Sequence, residues 1–364
     1  MKFLKYAAIA ISVSLLIITF SFTVIAKEIQ FEGNFGDAST DDGSLQYPSS
    51  IAIDSNNNFY IADIGKRDIK VFDDRGNFQF SFNSKSTGNA QLEAPSSITI
   101  DENDNLYVID QGSGFEMEMT INSDGNQTAT VNPGEAYIKV FDQQGNFQLS
   151  FGSYGKDHGQ FQAPTGITAD SQNNLYVTDS ARNDVQRLDS QGNFHSRFGS
   201  EGKGKGQFQN VTEIATDTRD NLYVVDAHGD VEVFDNQGTF QFQIPIQNNE
   251  EAVFLPSGIA IDNNNNIYVT SLLGDELLRI FDNQGSFQFS FSDEAFGSPP
   301  FLSIGGITTD RTGNLYLTDY FQGDVKIFKR QPSPATKNCS LELEDGSEVN
   351  MDALCNYADP AHQE

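Results

Sequence analysis

Paired aspartates recur at corresponding positions along this sequence. Carboxylates held a few ångströms apart repel each other unless backbone N–H groups, solvent or a cation stabilise their charge. Oxygen ligands of this kind suit calcium, so one hypothesis is a calcium site, with calcium as the cofactor suggested. The alternative is that the first aspartate caps its own turn and the second faces water. The pairs are Asp63 with Asp68, Asp179 with Asp184, Asp226 with Asp230, and Asp319 with Asp324.

Two further kinds of acidic segment are interpreted as turns. Segments such as DSNNN, DENDN and DNNNN lack the glycine and terminal glutamate of an EF-hand, and Asp and Asn side chains readily mimic backbone turns. Segments such as DDRGNF and DQQGNF place an aspartate first and a glycine where a hairpin turn requires positive φ. The aspartates of the second kind are Asp73, Asp142, Asp189, Asp235 and Asp282.

The histidines give little support to metal-dependent catalysis. A zinc site needs about three converging ligands, and the repeated region contains His158, His195 and His228. His195 falls on a predicted outer strand, and the other two fall in loops of different repeats. The sequence has no nucleophile elbow, phosphate loop, HExxH or CxxC motif. No catalytic residue is predicted, and an enzyme is less favoured than a binding protein.

Six copies of one pattern position these residues. Their starts recur at intervals of roughly 47 residues, with one longer interval, which is typical of a propeller. The first copy predicts strands at 51–54, 59–63, 69–73 and 78–82. The copies are PSSIAIDSNNNFYIAD from Pro48, PSSITIDENDNLYVID from Pro95, PTGITADSQNNLYVTD from Pro164, VTEIATDTRDNLYVVD from Val211, PSGIAIDNNNNIYVTS from Pro256 and IGGITTDRTGNLYLTD from Ile304.

The outer strands and the chain ends complete the predicted fold. Phe78, Phe80 and Phe82 alternate with polar residues, so we expect these aromatic side chains and their equivalents to pack blade against blade. The sixth copy supplies three strands, whereas residues 29–36, IQFEGNFG, match an outer strand. The sequence therefore predicts an all-β, six-bladed propeller of four-stranded blades, closed by an N-terminal strand that completes the last blade.

Residues 151–194 resemble the NHL repeat, and weaker copies cover residues 29–330. LYVTD is also similar to the YWTD repeat of lipoprotein-receptor propellers, but the GQF-x-x-P-x-GI segment favours NHL. The resemblance implies a six-bladed propeller; known NHL-like propellers include RNA-binding domains, an amidating lyase with metal-bound histidines, and exported proteins. Many family repeats open the third strand with a basic residue. Here the aligned positions hold Asp68, Asp184, Asp230 and Asp324, with Tyr137 and Leu277 in the other two blades.

The charge balance argues against nucleic acid as a partner. The chain carries 51 acidic and 22 basic side chains, for a formal net charge of -29. Such a surface repels phosphate backbones, whereas cations and basic proteins remain compatible with it.

The segments outside the repeats predict export. Residues 1–26 combine Lys2 and Lys5 with an apolar stretch, as in a signal peptide cleaved after Ala26 or an uncleaved anchor. Either places the rest in the extracellular space or cell envelope, with membrane contact through this segment alone. We expect the propeller at 27–330, with an insertion at 111–135 that either carries recognition or is neutral, then a linker at 331–337 and a tail at 338–364.

The tail and the sequons fit that location. Cys339 and Cys355 are expected to form one local disulfide in an exported chain. Candidate glycosylation sites are Asn126, Asn210 and Asn338.

Three functions are compatible with these features. The favoured one is an interaction module that binds a protein, glycan or cation on one propeller face. The first alternative is a lyase or calcium-dependent hydrolase with its site at the central channel, and the second is a structural module of the cell envelope. The sequence predicts no particular oligomeric state.

Overall fold

The computed structural model describes residues 29–37, 42–83, 88–112, 116–121, 127–132, 137–227, 229–246, 254–272, 276–292, 301–330, 340–342 and 348–350. Within these ranges the chain forms β-strands, turns and one short 3-10 helix, Gly88–Ala90. No helix among the described residues is long and apolar enough to cross a membrane. Six antiparallel four-stranded sheets form a ring, which confirms the predicted six-bladed propeller.

The strands follow the sequence repeats. Each blade contains an inner, second, third and outer strand. The strands are β1 Ile29–Phe35; in blade 1, β2 Pro48–Ile53, β3 Phe59–Asp63, β4 Asp68–Phe72 and β5 Phe78–Phe82; in blade 2, β6 Pro95–Ile100, β7 Leu106–Asp110, then the hairpin β8 Glu116–Ile121 and β9 Gln127–Asn132, and β10 Tyr137–Phe141 and β11 Phe147–Phe151; in blade 3, β12 Pro164–Ala169, β13 Leu175–Asp179, β14 Asp184–Leu188 and β15 Phe194–Phe198; in blade 4, β16 Val211–Thr216, β17 Leu222–Asp226, β18 Asp230–Phe234 and β19 Phe240–Pro245; in blade 5, β20 Pro256–Ile261, β21 Ile267–Ser271, β22 Glu276–Phe281 and β23 Phe287–Ser292; in blade 6, β24 Ile304–Thr309, β25 Leu315–Asp319 and β26 Asp324–Arg330.

A separate hairpin lies in the C-terminal part of the chain. Its strands are β27 Ser340–Glu342 and β28 Glu348–Asn350, which pair antiparallel with Leu341 opposite Val349. The propeller forms its own compact unit, Phe31–Lys329.

The apolar cores lie between neighbouring blades. The second strand of every blade is buried along its whole length because it packs against a blade on each side. Phe82 of blade 1 packs on Phe141 of blade 2, with ring centroids 5.3 Å apart. The predicted packing of the outer-strand aromatics is therefore confirmed there. It is wrong for Phe242 and Phe287, which are 37% and 42% exposed.

The ring closes through β1. This strand pairs with β26 and completes blade 6, whose order is β1-β26-β25-β24. The ring of Phe31 lies 5.7 Å from that of Phe328, and Asn34 Nδ2 donates to Asp324 Oδ2 at 2.8 Å. Phe35 is buried against blade 1, where its ring centroid lies 5.0 Å from that of Phe72. The N-terminal strand thus joins the last blade to the first.

Both predicted kinds of turn are confirmed. Asp101 Oδ1 accepts the backbone N–H groups of Asn103 and Asn105, each at 2.9 Å, and its Oδ2 accepts the Tyr107 hydroxyl at 3.0 Å. Burial and the neighbouring carboxylate raise the pKa of Tyr107. In the hairpins, Asp142 accepts two backbone N–H groups in the same way, and Gly145 has φ 78°.

These turns define the two faces of the propeller. The face that carries both kinds of turn is here called the turn face. The opposite face carries the loops between second and third strands and the connectors that run from each outer strand to the next inner strand. It is here called the connector face.

Replacing Phe35 with alanine should destabilise the propeller by about 3–5 kcal/mol, because the side chain fills the junction between blades 6 and 1. The free energy of unfolding from urea denaturation measures this. Phe287→Ala, at an exposed phenylalanine on β23, is the control and should cost less than about 1 kcal/mol. Equal losses for both variants would contradict the closure described here.

Candidate functional site

The structure brings the members of each predicted aspartate pair directly opposite each other on the connector face. Asp63 faces Asp68 across β3 and β4, and the other three pairs have the same register. The first aspartate of a pair binds backbone. Asp63 Oδ2 accepts the N–H of Gln46 in the connector at 2.7 Å, and its Oδ1 accepts that of Lys66 at 3.0 Å. Burial raises the pKa of Asp63 to about 6.

The second aspartate was expected to face water, and for three pairs this is wrong. Asp68, Asp184 and Asp324 are buried, because a cation from the same blade compensates their charge. In blade 6, Lys326 Nζ lies 3.1 Å from both Asp319 Oδ2 and Asp324 Oδ1, and this lysine is fully buried.

Calcium ligation at the eight aspartates stays a prediction. Backbone N–H groups or basic side chains already contact carboxylate oxygens in several pairs. Among the described residues, no group of three or more His, Cys, Asp or Glu side chains is arranged to hold a metal ion.

A buried polar residue lies at the middle of each third strand, and in five blades it forms a hydrogen bond with the adjoining connector. In blade 6, Lys326 Nζ instead lies 4.5 Å from the ring centroid of Phe301 in the connector. Gln186 donates from Nε2 to the carbonyl of Gln160 at 2.7 Å and accepts the N–H of Gly159 at 3.0 Å. Lys70 donates to the Asp42 carbonyl at 2.9 Å. These bonds pair polar backbone groups of the connectors with buried side chains of the blades. The six residues are Lys70, Lys139, Gln186, Glu232, Arg279 and Lys326.

Blade 4 differs from the others because its residue at the middle of the third strand is acidic. Glu232 is 3% exposed, and its Oε2 accepts the N–H of Gly206 at 3.3 Å. Burial, together with repulsion from Asp230 and Asp226, raises the pKa of Glu232 to about 7. Burial also raises the pKa of Asp230, which accepts a bond from Gln243 Nε2 at 2.6 Å.

The inner strands of all six blades line an axial channel, with a cavity of about 220 Å³. At the third residue of the inner strand, five blades carry a small residue and blade 4 carries a glutamate. The six are Ser50, Ser97, Gly166, Glu213, Gly258 and Gly306.

Glu213 reaches across blade 3 towards blade 2. A Cβ on Gly166 would lie only 2.2 Å from Glu213 Oε1, so the carboxylate occupies space that the glycine leaves. Ser97 Oγ of blade 2 donates to Oε1 at 3.5 Å, and the backbone N–H of Ile214 donates at 3.3 Å. Burial raises the pKa of Glu213 to about 8. Among the described residues that line this cavity, Glu213 is the one with a titratable side chain.

The sequence reasoning missed Glu213, although the aligned repeats contain the signal. The fourth copy reads VTEIATD where others read PSSIAID or PTGITAD. That comparison shows Glu213 at a position of the inner strand where the other copies have Ser or Gly.

The remaining predicted residues lie elsewhere. His158 stacks on Phe194, with ring centroids 4.1 Å apart, and His195 is exposed on β15, so neither lines the channel cavity. Asn210 is exposed in a connector. His228, Asn126, Asn338, Cys339 and Cys355 lie outside the described residues.

Three aromatic rings, here called the aromatic patch, lie on the connector face where blades 6 and 1 meet. Tyr47 stacks on Tyr320, with ring centroids 5.2 Å apart, and Phe321 meets Tyr320 edge to face at 5.2 Å. Phe321 is 60% exposed and Tyr47 is 40% exposed. Tyr47 has φ 65°, a backbone conformation that bulky residues rarely adopt and that costs about 1–3 kcal/mol.

Comparison with known proteins supports the fold. A family model described as "6-bladed beta-propeller" matches residues 160–242, which span parts of blades 3 and 4. No curated protein sequence matches the chain.

Solved structures of propeller type resemble the chain over most of its length. Virginiamycin B lyase from Staphylococcus aureus is 14% identical, with a TM-score of 0.54, and the match covers 84% of this chain and 100% of that one. A gluconolactonase from Xanthomonas campestris is 12% identical, with a TM-score of 0.55 and coverage of 83% and 98%. A protein of unknown function from Bacteroides thetaiotaomicron is 15% identical, with a TM-score of 0.57 and coverage of 84% and 74%. At these identities the likeness shows the fold alone: the chain is a six-bladed β-propeller.

Replacing Glu232 with glutamine should stabilise the protein at alkaline pH, because a neutral amide can accept the Gly206 N–H as Gln186 accepts that of Gly159. The raised pKa of Glu232 means that its stabilising contribution is present below its ordinary pKa and is lost as pH rises through about 7. The gain in the free energy of unfolding should be smaller at pH 5 than at pH 8, and the difference between the two pH values should be about 1 kcal/mol or more.

The matched control is Gln186→Glu at the equivalent position of blade 3. This variant should lose stability as pH rises. A gain for Glu232→Gln that is the same at both pH values would rule out the ionisation of Glu232 as its cause.

Proposed function

We propose that this chain is an exported NHL-type propeller that acts as an interaction module and binds a polypeptide partner with basic side chains through the aromatic patch. Tyr47, Tyr320 and Phe321 are the observation that carries the proposal. Aromatic side chains exposed together on a surface are typical of the energetically dominant part of protein interfaces. Export rests on residues 1–26, and the linker at 331–337 and the tail at 338–364 are proposed as accessory segments.

The geometry of the patch suits a bound side chain from a partner. Its rings stack on one another, so their orientations are partly fixed before binding and little side-chain entropy is lost. The backbone of Leu302 adjoins that of Tyr320: the Leu302 N–H donates to Asp319, and Ser303 accepts the N–H of Tyr320. Leu302 is 62% exposed. Apolar surface of this kind binds aliphatic stems of lysine and arginine side chains, and aromatic faces attract their charges.

The charge of the chain favours a basic partner. A net charge of -29 steers cationic molecules towards the protein and repels anionic ones. Long-range attraction alone would act at any surface position, whereas the patch supplies one defined place of contact. Affinity at the patch is therefore distinct from electrostatic steering.

Substitution at the patch without a change of charge tests the proposal. The probe is a peptide rich in lysine and arginine, and the measurement is its dissociation constant for the full chain at low and at physiological ionic strength. The double variant Tyr320→Ser, Phe321→Ser should weaken binding at least about tenfold at both ionic strengths. The control Phe242→Ser, at an exposed phenylalanine on β19, should bind as the wild type does. Equal binding by all three proteins, varying with salt alone, would contradict the proposal.

A further inference from the structure

The axial channel contains a second candidate site, separate from the aromatic patch. Its lining is asymmetric because a single blade contributes a carboxylate. The structure places Glu213 over Gly166 and within reach of Ser97, so three neighbouring blades build this one position. A larger side chain at Gly166 would displace the carboxylate, since the approach to this glycine is already tight.

The chemistry of the lining selects a class of ligand. Serine and threonine side chains from several blades line the same cavity, including Ser50, Thr99 and Thr308, and alanine, glycine and isoleucine residues of the inner strands complete the lining. These hydroxyl and carboxylate oxygens accept hydrogen bonds, and no described lining residue carries a positive charge. A ligand that complements this lining is a cation that donates hydrogen bonds.

The number of carboxylates decides between an organic cation and calcium. Calcium takes six to eight oxygen ligands and is usually held by several carboxylates. A primary ammonium group has three donors, which one carboxylate and two hydroxyl or carbonyl oxygens satisfy. A cavity of about 220 Å³ is large enough for a small amine.

We propose that the axial channel binds the ammonium group of a small primary amine, with the Glu213 carboxylate as its counter-ion and hydroxyl groups of the channel as the other acceptors. The site belongs to the channel and does not depend on the aromatic patch or its partner.

Binding of this kind displaces a proton. Burial raises the pKa of Glu213 to about 8, so at pH 7 most free molecules carry a proton on this carboxyl group. An ammonium ion pairs with the ionised form, and the proton therefore leaves to solvent as the amine binds. The described residues lining the cavity include no other titratable side chain that would take it up.

Calorimetry of the full chain at pH 7 tests the site, with ethylammonium chloride as the probe. We expect saturable binding with release of up to about one proton for each ammonium bound, read from the dependence of the heat on the ionisation enthalpy of the buffer. Glu213→Gln should reduce the affinity at least about tenfold and remove the proton release. Gly166→Ala should also weaken binding, because the new methyl group would meet both the carboxylate and the Cα of Glu213.

Controls distinguish binding at Glu213 from binding elsewhere on the acidic surface. Glu201→Gln, at an exposed glutamate in a connector, should bind ethylammonium as the wild type does. Calcium chloride replaces ethylammonium chloride in a parallel titration. Absence of saturable ethylammonium binding to the wild type overturns the proposal, and so does binding that Glu213→Gln leaves unchanged. Calcium binding that requires Glu213, without ammonium binding, also overturns it in favour of a metal site.

Discussion

The pairing of β1 with β26 is the interaction on which the rest of the propeller depends. Each core lies between two blades, so every blade needs a neighbour on both sides. Blade 6 obtains its outer strand from the other end of the repeated region, and Phe35 then packs on blade 1. An open ring would leave one sheet edge and two apolar blade surfaces in water. Closure therefore couples residues far apart in sequence into a single structure.

The six blades of the closed ring are nearly equivalent, so a residue that differs from its equivalents in the other blades is informative. On the turn face, the turn between the first and second strands is built in the same way in every blade. An aspartate accepts two backbone N–H groups and a tyrosine hydroxyl, as Asp101 does with Tyr107. On the connector face, a buried polar residue of the third strand bonds the connector in five blades and compensates the charge of an aspartate in three. Blade 4 departs twice, at Glu232 and at Glu213. Each places an acidic side chain where the other blades have none at the equivalent position.

Much of the fold was predictable because it is encoded locally. Aspartate and glycine at fixed places specify the turns, and alternating phenylalanines specify the outer strands. Closure was also predictable, since IQFEGNFG matches the strand that the sixth repeat lacks. The features of the candidate site were harder to predict from the sequence. The compensation of Asp324 by Lys326 depends on side-chain burial, which spacing along the chain does not define.

Other site features depend on contacts between distant segments. Tyr47 and Tyr320 meet only because the ring closes between blades 6 and 1, so no local pattern marks the aromatic patch. Glu213 was visible as an odd residue in the aligned repeats. Its significance depends on the channel geometry and on the space beside Gly166. Local sequence patterns thus identify strands and turns, whereas the aromatic patch and the surroundings of Glu213 depend on how the closed ring brings distant segments together.

Native-state hydrogen exchange tests closure most directly. Amides of residues 29–35 that bond to β26 are compared with those of β13, which lies between two strands of blade 3. If β1 is integral to the ring, both sets will exchange with the same opening free energy and the same dependence on denaturant, because they open together in global unfolding. Rapid exchange across residues 29–35 while β13 stays protected would show that the ring stands without its N-terminal strand, and would contradict this account.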